Sequence, residues 1–114
     1  NEPLTVYGDG KQTRSFCFVD DLIQGITKLA DSNVHEPVNI GNPDEYKILD
    51  FAKFILGAVP TTKSKIEYRP FLHADDPKQR RPDITRAKKH LDWAPRTSLA
   101  DGIAKTLEYF KTKL

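Results

Sequence analysis

The sequence predicts a small mixed α/β fold with its elements in the order ββαβαβαα, and three observations carry that prediction. Short β-rich runs at 4–7, 14–18, 38–40 and 64–68 are each bounded by glycine, proline or polar clusters. Apolar residues recur at helical spacing between and after those runs. Finally, 38% of the 114 residues are apolar, enough for one modest core within a single domain spanning residues 1–114.

Taken in order, Leu4–Tyr7 and Arg14–Phe18 flank Gly8-Asp9-Gly10, which reads as a hairpin turn that tolerates positive φ. Asp20 and Asp21 precede a stripe of Leu22, Ile23, Ile26, Leu29 and Ala30, so one of the two aspartates is expected to cap the first helix. Val38–Ile40 reads as a short strand ending at Gly41. Ile48, Phe51, Ala52, Ile55 and Leu56 predict a second helix, stopped by Gly57 and Pro60. Ser64–Tyr68 alternates as a strand does. A polar loop from Arg69 to Pro82 follows, long enough to suggest a purpose. Asp83 is expected to cap a short helix from Ile84 through Leu91, with Pro95 ending that segment and Trp93 serving in packing. Ser98 is expected to cap a last helix carrying Leu99, Ile103, Leu107, Phe110 and Leu114 on one face.

Composition excludes several classes of function. Eighteen basic residues against sixteen acidic ones leave a net charge of +2, too mild to argue for nucleic acid. No stretch approaches the roughly 18 consecutive apolar residues of a membrane span. Cys17 is alone, so no internal disulfide forms, and it is expected to be buried and inert. His35, His73 and His90 lack metal-ligand spacing. The expectation is a soluble protein of a reducing compartment. The sequence contains no methionine and opens almost directly on a β-rich run, which suggests a piece of a longer chain.

The candidates for chemistry are few. VYGDGKQ fails as a phosphate loop: Gln12 follows Gly10-Lys11 where Ser or Thr is required, Thr5 stands in place of the first glycine, and a strand follows where a helix is needed. Arg14, at the start of the second strand, can offer its forked donors to a phosphate. Tyr7 could stack on a base or cover the turn. Asn39 and Asn42 bracket Gly41 at a strand end, where an amide could meet a ligand or serve the turn. The densest charge lies in HADDPKQRRPD, residues 73–83. Arg80 and Arg81 sit there among Asp75, Asp76 and Asp83, a setting better suited to gripping one small anion than a polyanion. A nucleic-acid module built on residues 80–89 would instead show steeply salt-dependent binding. No G-x-G-x-x-G occurs, and nothing supplies a convincing general base. Arginines without a base look like half of a site.

TVYGDGKQTRSFCFVDDLIQGI resembles the start of the C-terminal, sugar-nucleotide-binding lobe of the extended short-chain dehydrogenase/reductase family. PVNIGNP, DDPKQRRPDITRAKKHLDWAP and SLADGIAKTLEYF continue the resemblance in the same order over nearly the whole chain. Within the family DPKQRRPDI is most similar to the UDP-glucuronate decarboxylases, or UDP-xylose synthases. dTDP-glucose 4,6-dehydratases and UDP-galactose 4-epimerases are the relatives to exclude.

The resemblance implies a substrate-binding lobe whose NAD-binding Rossmann core, with its glycine fingerprint and Tyr-x-x-x-Lys pair, is not in this chain. It implies that Arg14 contacts the nucleotide pyrophosphate, that Tyr7 lies next to the base, that Asn39 lies near the nucleotide and that Asp76 reaches the ribose. Arg80 matches the arginine that meets the glucuronate carboxylate. His73 stands where some relatives place a second phosphate-binding arginine, and Lys47 stands where a threonine often caps the following helix. For the intact enzyme the resemblance implies a UDP-sugar substrate, oxidation at C4 by NAD, loss of carbon dioxide from the resulting β-keto acid and re-reduction. It also implies a homodimer, and no nucleic acid or membrane contact by this segment. The compartment would be the cytoplasm, or the Golgi lumen where an upstream anchor exists.

Overall fold

The structure, a computed structural model, describes residues 1–73 and 77–114. Its elements are β1 (Leu4–Tyr7), β2 (Thr13–Ser15), α1 (Val19–Ala30), β3 (Glu45–Lys47), α2 (Ile48–Ala58), β4 (Ile66–Arg69), α3 (Thr85–Leu91) and α4 (Leu99–Lys111). The predicted order holds, but the third strand lies at 45–47 and not at 38–40. The described residues fall into two compact units, residues 1–14 with 45–80 and residues 15–44 with 81–114.

In the first unit β1 pairs in parallel with β4, with Leu4 opposite Ile66 and Tyr7 opposite Arg69. Backbone bonds extend the pairing at both ends, from Leu4 N to Lys65 O at 2.8 Å and from Gly8 N to Arg69 O at 2.7 Å. β2 pairs with β3 in a separate two-stranded sheet. The expected hairpin is therefore absent, although the turn has the expected positive φ: 64° at Gly8 and 73° at Gly10. The backbone leaving that turn bonds to the start of α2 and not to β1. Gly10 O accepts from Leu49 N at 3.0 Å, and Gln12 O from Ile48 N at 2.9 Å. Gly10 is also required by close approach, since a Cβ there would lie 2.8 Å from Leu49 Cβ and 2.9 Å from Val6 Cγ1. Among the described residues of this unit, Val6 and Ala52 are the buried apolar ones. Lys47 occupies the N-cap of α2 and makes no side-chain cap, and Gly57 lies inside the helix it was expected to end.

The second unit is built around Trp93, only 2% exposed, with Ile84, Ala87 and Leu91; Leu29, Val34, Val38 and Ile40 pack against them. Asp92 ends α3 in the left-handed region at φ 49°, a conformation that aspartate tolerates better than most residues, and Trp93 N returns to Ala87 O at 3.2 Å. Residues 38–40 form no strand. Val38 and Ile40 contribute side chains to the core, while the Asn39 amide donates to Asp83 O at 3.2 Å.

Helix starts depart from expectation in an instructive way. Phe18 is the N-cap of α1, so neither Asp20 nor Asp21 caps it. Asp21 is buried, and its carboxylate accepts from Arg96 N at 3.1 Å and Thr97 N at 2.9 Å; its backbone carbonyl accepts from Trp93 Nε1 at 3.0 Å. That carboxylate serves a long-range clamp in preference to its own helix. Asp83 accepts from Thr85 N at 2.9 Å and from the Thr85 hydroxyl, but the N-cap of α3 is Ile84. Ser98 does cap α4, accepting from Asp101 N at 3.2 Å. The predicted stripe of α1 is rotated: Asp21 and Gly25 are its buried positions, whereas Val19, Ile23 and Ile26 are 58%, 54% and 49% exposed.

Candidate functional site

Alternation along β1 sends Val6 into the core and Tyr7 to the opposite face. On that side lies a cavity of about 260 Å³, bordered by Tyr7, Gln12, Arg14 and the post-β4 residues Phe71, Leu72 and His73. Positive φ at Gly8 lets the chain turn beneath this wall, and the Phe71 ring packs directly on the glycine: a Cβ there would overlap its ring carbons. Tyr7, Phe71 and Leu72 supply apolar surface that is left partly exposed. A flat, partly apolar ligand suits such a wall.

Arg14 brings the permanent charge. Its side chain is partly buried and gives one N–H to the Thr13 carbonyl at 2.7 Å, which anchors the guanidinium on its own strand. A guanidinium carries five N–H donors in a fixed fork, so this anchoring leaves a geometry suited to an oxyanion. Gln12 is held by a bond from Nε2 to Tyr7 O at 3.1 Å.

The second unit contains a larger cavity, about 400 Å³, bordered by Pro43, Arg81, Pro82, Asp83, Thr85 and Lys88. It is the weaker candidate despite its size. Asp83 opposes its two cations, and no aromatic side chain lines it. Hydrogen bonds from the Thr85 hydroxyl and backbone N–H, helped by Arg81, hold the Asp83 carboxyl below the usual carboxylate range. Its charge therefore persists to low pH, where it would repel an anion.

Of the residues predicted from sequence, Tyr7 and Arg14 meet in one cavity. Asn39 belongs to the second unit, and its amide serves the backbone ahead of α3. Arg80 is exposed at the end of the first unit, while its neighbour Arg81 borders the larger cavity. Asp76 lies outside the described residues. Sequence reasoning gave no site role to Gln12, Phe71 or Leu72. Gln12 was recoverable, being two residues from Arg14 and directly ahead of β2; Phe71 and Leu72 sit in a loop without periodicity and carried no signal. Among the described residues no helix is long and apolar enough to cross a membrane.

The sequence matches the GDP-mannose 4,6 dehydratase family over residues 1–106. It is 48% identical over 113 residues to UDP-glucuronic acid decarboxylase 1 of Danio rerio, covering 99% of this chain and 27% of the relative. UDP-glucuronic acid decarboxylase 4 of Arabidopsis thaliana is 45% identical over 113 residues, with 99% and 25% covered. The chain thus spans about a quarter of the length of these relatives. Among solved structures, UDP-glucuronic acid 4-epimerase from Bacillus cereus, in complex with UDP-glucuronic acid and NAD, superposes with a TM-score of 0.88. The match has 30% identity and covers 98% of this chain and 36% of that one.

Proposed function

Because this chain belongs to the GDP-mannose 4,6 dehydratase family, within the extended short-chain dehydrogenases/reductases, we propose that it is the substrate-binding lobe of an NAD-dependent UDP-glucuronate decarboxylase that makes UDP-xylose. The observation that carries the reading is the cavity in which an anchored arginine, Arg14, meets the aromatic wall of Tyr7 and Phe71. One end suits a diphosphate and the other a base. The identity to decarboxylases, and the fold shared with an enzyme solved with UDP-glucuronic acid, support a uronic acid as the sugar.

The residues present do not fit NAD, since the sequence contains no G-x-G-x-x-G. In the intact enzyme the cofactor would be held by a Rossmann lobe outside this chain and would supply reversible oxidation at C4. This chain contributes binding and orientation. Arg14 neutralises the pyrophosphate and fixes the nucleotide. Arg80 meets the carboxylate, but tight binding of that group would stabilise a charge that must leave and so would slow the reaction. Arg80 instead holds the carboxylate out of the plane of the C4 ketone, aligning the breaking bond so that its electrons enter the carbonyl. The exposed stripe of Val19, Ile23 and Ile26 supports a lobe that packs against further protein in the intact enzyme. The isolated chain is expected to be inactive.

The test is to give the intact enzyme UDP-glucuronate and, separately, dTDP-glucose. Carbon dioxide and UDP-xylose from the first alone would support the proposal; a 4-keto-6-deoxy product from the second alone would make this a dehydratase lobe. Conversion of UDP-glucuronate to its 4-epimer without carbon dioxide would favour the epimerase reading that the fold similarity also permits. Arg80→Ala should lower kcat for decarboxylation by at least about tenfold. If it changes affinity alone and leaves turnover intact, the alignment role fails.

A further inference from the structure

Charge is spread unevenly along the chain. From Arg81 to Arg96 five basic side chains (Arg81, Arg86, Lys88, Lys89 and Arg96) stand against Asp83 and Asp92, a local excess of three where the whole chain has +2. The stretch contains α3 and lies within the second unit. Two cavities open on it. One, of about 400 Å³, is bordered by Arg81, Asp83 and Lys88; the other, of about 360 Å³, by Asp44, Lys88 and Arg96. They share Pro43, Ile84 and Lys88 as a common wall. Pro43, Pro82 and Pro95 fix φ around the rims, and Ile84 is buried. Arg86 is engaged by Glu36 at 3.6 Å, whereas Lys88 and Arg96 are exposed and have no ion-pair partner among the described residues.

The mixed sign of these cavities decides what they can hold. Along their phosphates, nucleic acids and polyphosphates offer acceptors only, and Asp83 and Asp44 would repel them. An acidic peptide offers carboxylates to the cations and backbone N–H groups to the aspartates. Both aspartates have the capacity to accept. The two bonds that Asp83 receives, from Thr85 N and the Thr85 hydroxyl, fall on Oδ1, and Oδ2 accepts none among the described residues. Asp44 is exposed, with its own N–H turned to Asn42 Oδ1 at 2.9 Å. We propose that this face docks an acidic peptide segment of a partner protein, whose carboxylates meet Lys88 and Arg96 while its backbone N–H groups meet Asp83 and Asp44. The Arg96 guanidinium can grip a carboxylate with two parallel bonds, and Lys88 acts as a point charge. Rims fixed by proline lower the cost of ordering the site. None of these residues borders the cavity of Tyr7 and Arg14, so the inference goes beyond the sugar-nucleotide reading and does not rest on it.

The test titrates the intact enzyme with a fluorescein-labelled, N-acetylated hexaglutamate amide, followed by anisotropy at low salt, with an oligothymidylate in parallel. The peptide should bind more tightly than the oligothymidylate. Lys88→Gln and Arg96→Gln should each weaken it about 2- to 10-fold. The aspartates give a readout of opposite sign for the two kinds of ligand. Removing a like charge strengthens a ligand held by charge alone, whereas removing an acceptor weakens a peptide that donates to it. Asp83→Ala and Asp44→Ala should therefore each weaken the peptide about 2- to 5-fold. Unchanged or tighter peptide binding by these variants would overturn the inference, as would an oligothymidylate that binds as tightly as the peptide. No peptide binding, or binding indifferent to Lys88→Gln and Arg96→Gln, would overturn it too. Should Asp83→Ala disturb the start of α3, Asp44→Ala carries the decision, since Asp44 is exposed and lies outside that helix. The sugar-nucleotide reading stands or falls separately, on turnover of UDP-glucuronate.

Discussion

The two units of this chain use their apolar residues differently. Around Trp93, Ile84, Ala87 and Leu91 the side chains close on one another, and the polar group that enters, Asp21, has partners for its carboxylate and its backbone carbonyl. Among the described residues of the other unit, Val6 and Ala52 are the buried hydrophobics, while Tyr7, Phe71 and Leu72 remain partly exposed around a cavity. One region turns apolar surface into stability, and the other leaves it around the cavity to which the proposed function assigns a ligand. Substitutions in the first should therefore cost folding free energy, and those at the cavity should cost affinity.

The largest expected effect tests the first half of that contrast. Trp93→Ala should destabilise by about 3–5 kcal/mol, combining lost burial with a cavity that the surrounding helices cannot fill. Trp93→Phe keeps most of the volume but leaves the Asp21 carbonyl without its indole donor, at a cost of about 1–3 kcal/mol. Urea unfolding followed by circular dichroism measures both, since tryptophan fluorescence is lost in each. Equal losses would mean that the hydrogen bond, and not packing, centres this core.

Gly10→Ala tests the contrast from the opposite side, because it lies in the unit with the candidate cavity yet should cost stability, about 2–4 kcal/mol. Its φ of 73° strains any L-residue, and a Cβ would press on Leu49 and Val6. Gly8→Ala has the same backbone strain, but its neighbour is the partly exposed Phe71 ring, which can swing away. Its loss should be about 1–2 kcal/mol. If Gly8→Ala costs more than Gly10→Ala in thermal unfolding, the Phe71 wall is rigid and the cavity is preformed.

Arg14→Leu should leave unfolding within about 0.5 kcal/mol of the parent, yet weaken UDP binding by roughly tenfold to a hundredfold, the worth of a charge-assisted hydrogen bond. The UDP loss should shrink at high salt if the contact is solvent-exposed. A melting shift equal to the affinity loss would show that Arg14 braces its strand through Thr13 and does not bind the ligand.

The same contrast explains what the sequence could tell. Trp93 packing and the Ser98 cap follow from local pattern, and the structure has both. The positive φ of Gly8 and Gly10 was legible as well, but the partners of the flanking strands were not. β1 bonds to β4 across some sixty residues, and nothing in a Gly-Asp-Gly turn tells whether the chain folds back on itself or onward to α2. The aspartates before α1 misled for a related reason: a carboxylate near a helix start reads as a local cap, whereas Asp21 answers to Arg96 and Thr97. At the candidate cavity, the motif makes Arg14 and Tyr7 legible; Phe71 and Leu72 follow β4 in a loop whose sequence has no periodicity to read.

The smallest expected effect concerns Cys17, half-buried on the structural side of the contrast. Burial, and secondarily the charge of Asp21, raise its thiol pKa above the ordinary value, and its S–H approaches Phe18 O at 3.6 Å. A thiol with a raised folded pKa favours folding while both states stay protonated. That contribution is full below the unfolded pKa of about 8.5 and is lost as pH rises through the folded value. Stability should therefore decline above about pH 8.5, and Cys17→Ala should flatten the decline. Alkylation by iodoacetamide at pH 8.5 should run several-fold slower than for a free thiol, because the thiolate is the reactive form. Alkylation as fast as glutathione's would place Cys17 on a surface that opens readily. The unit that closes on Trp93 would then be the looser of the two, which reverses the comparison.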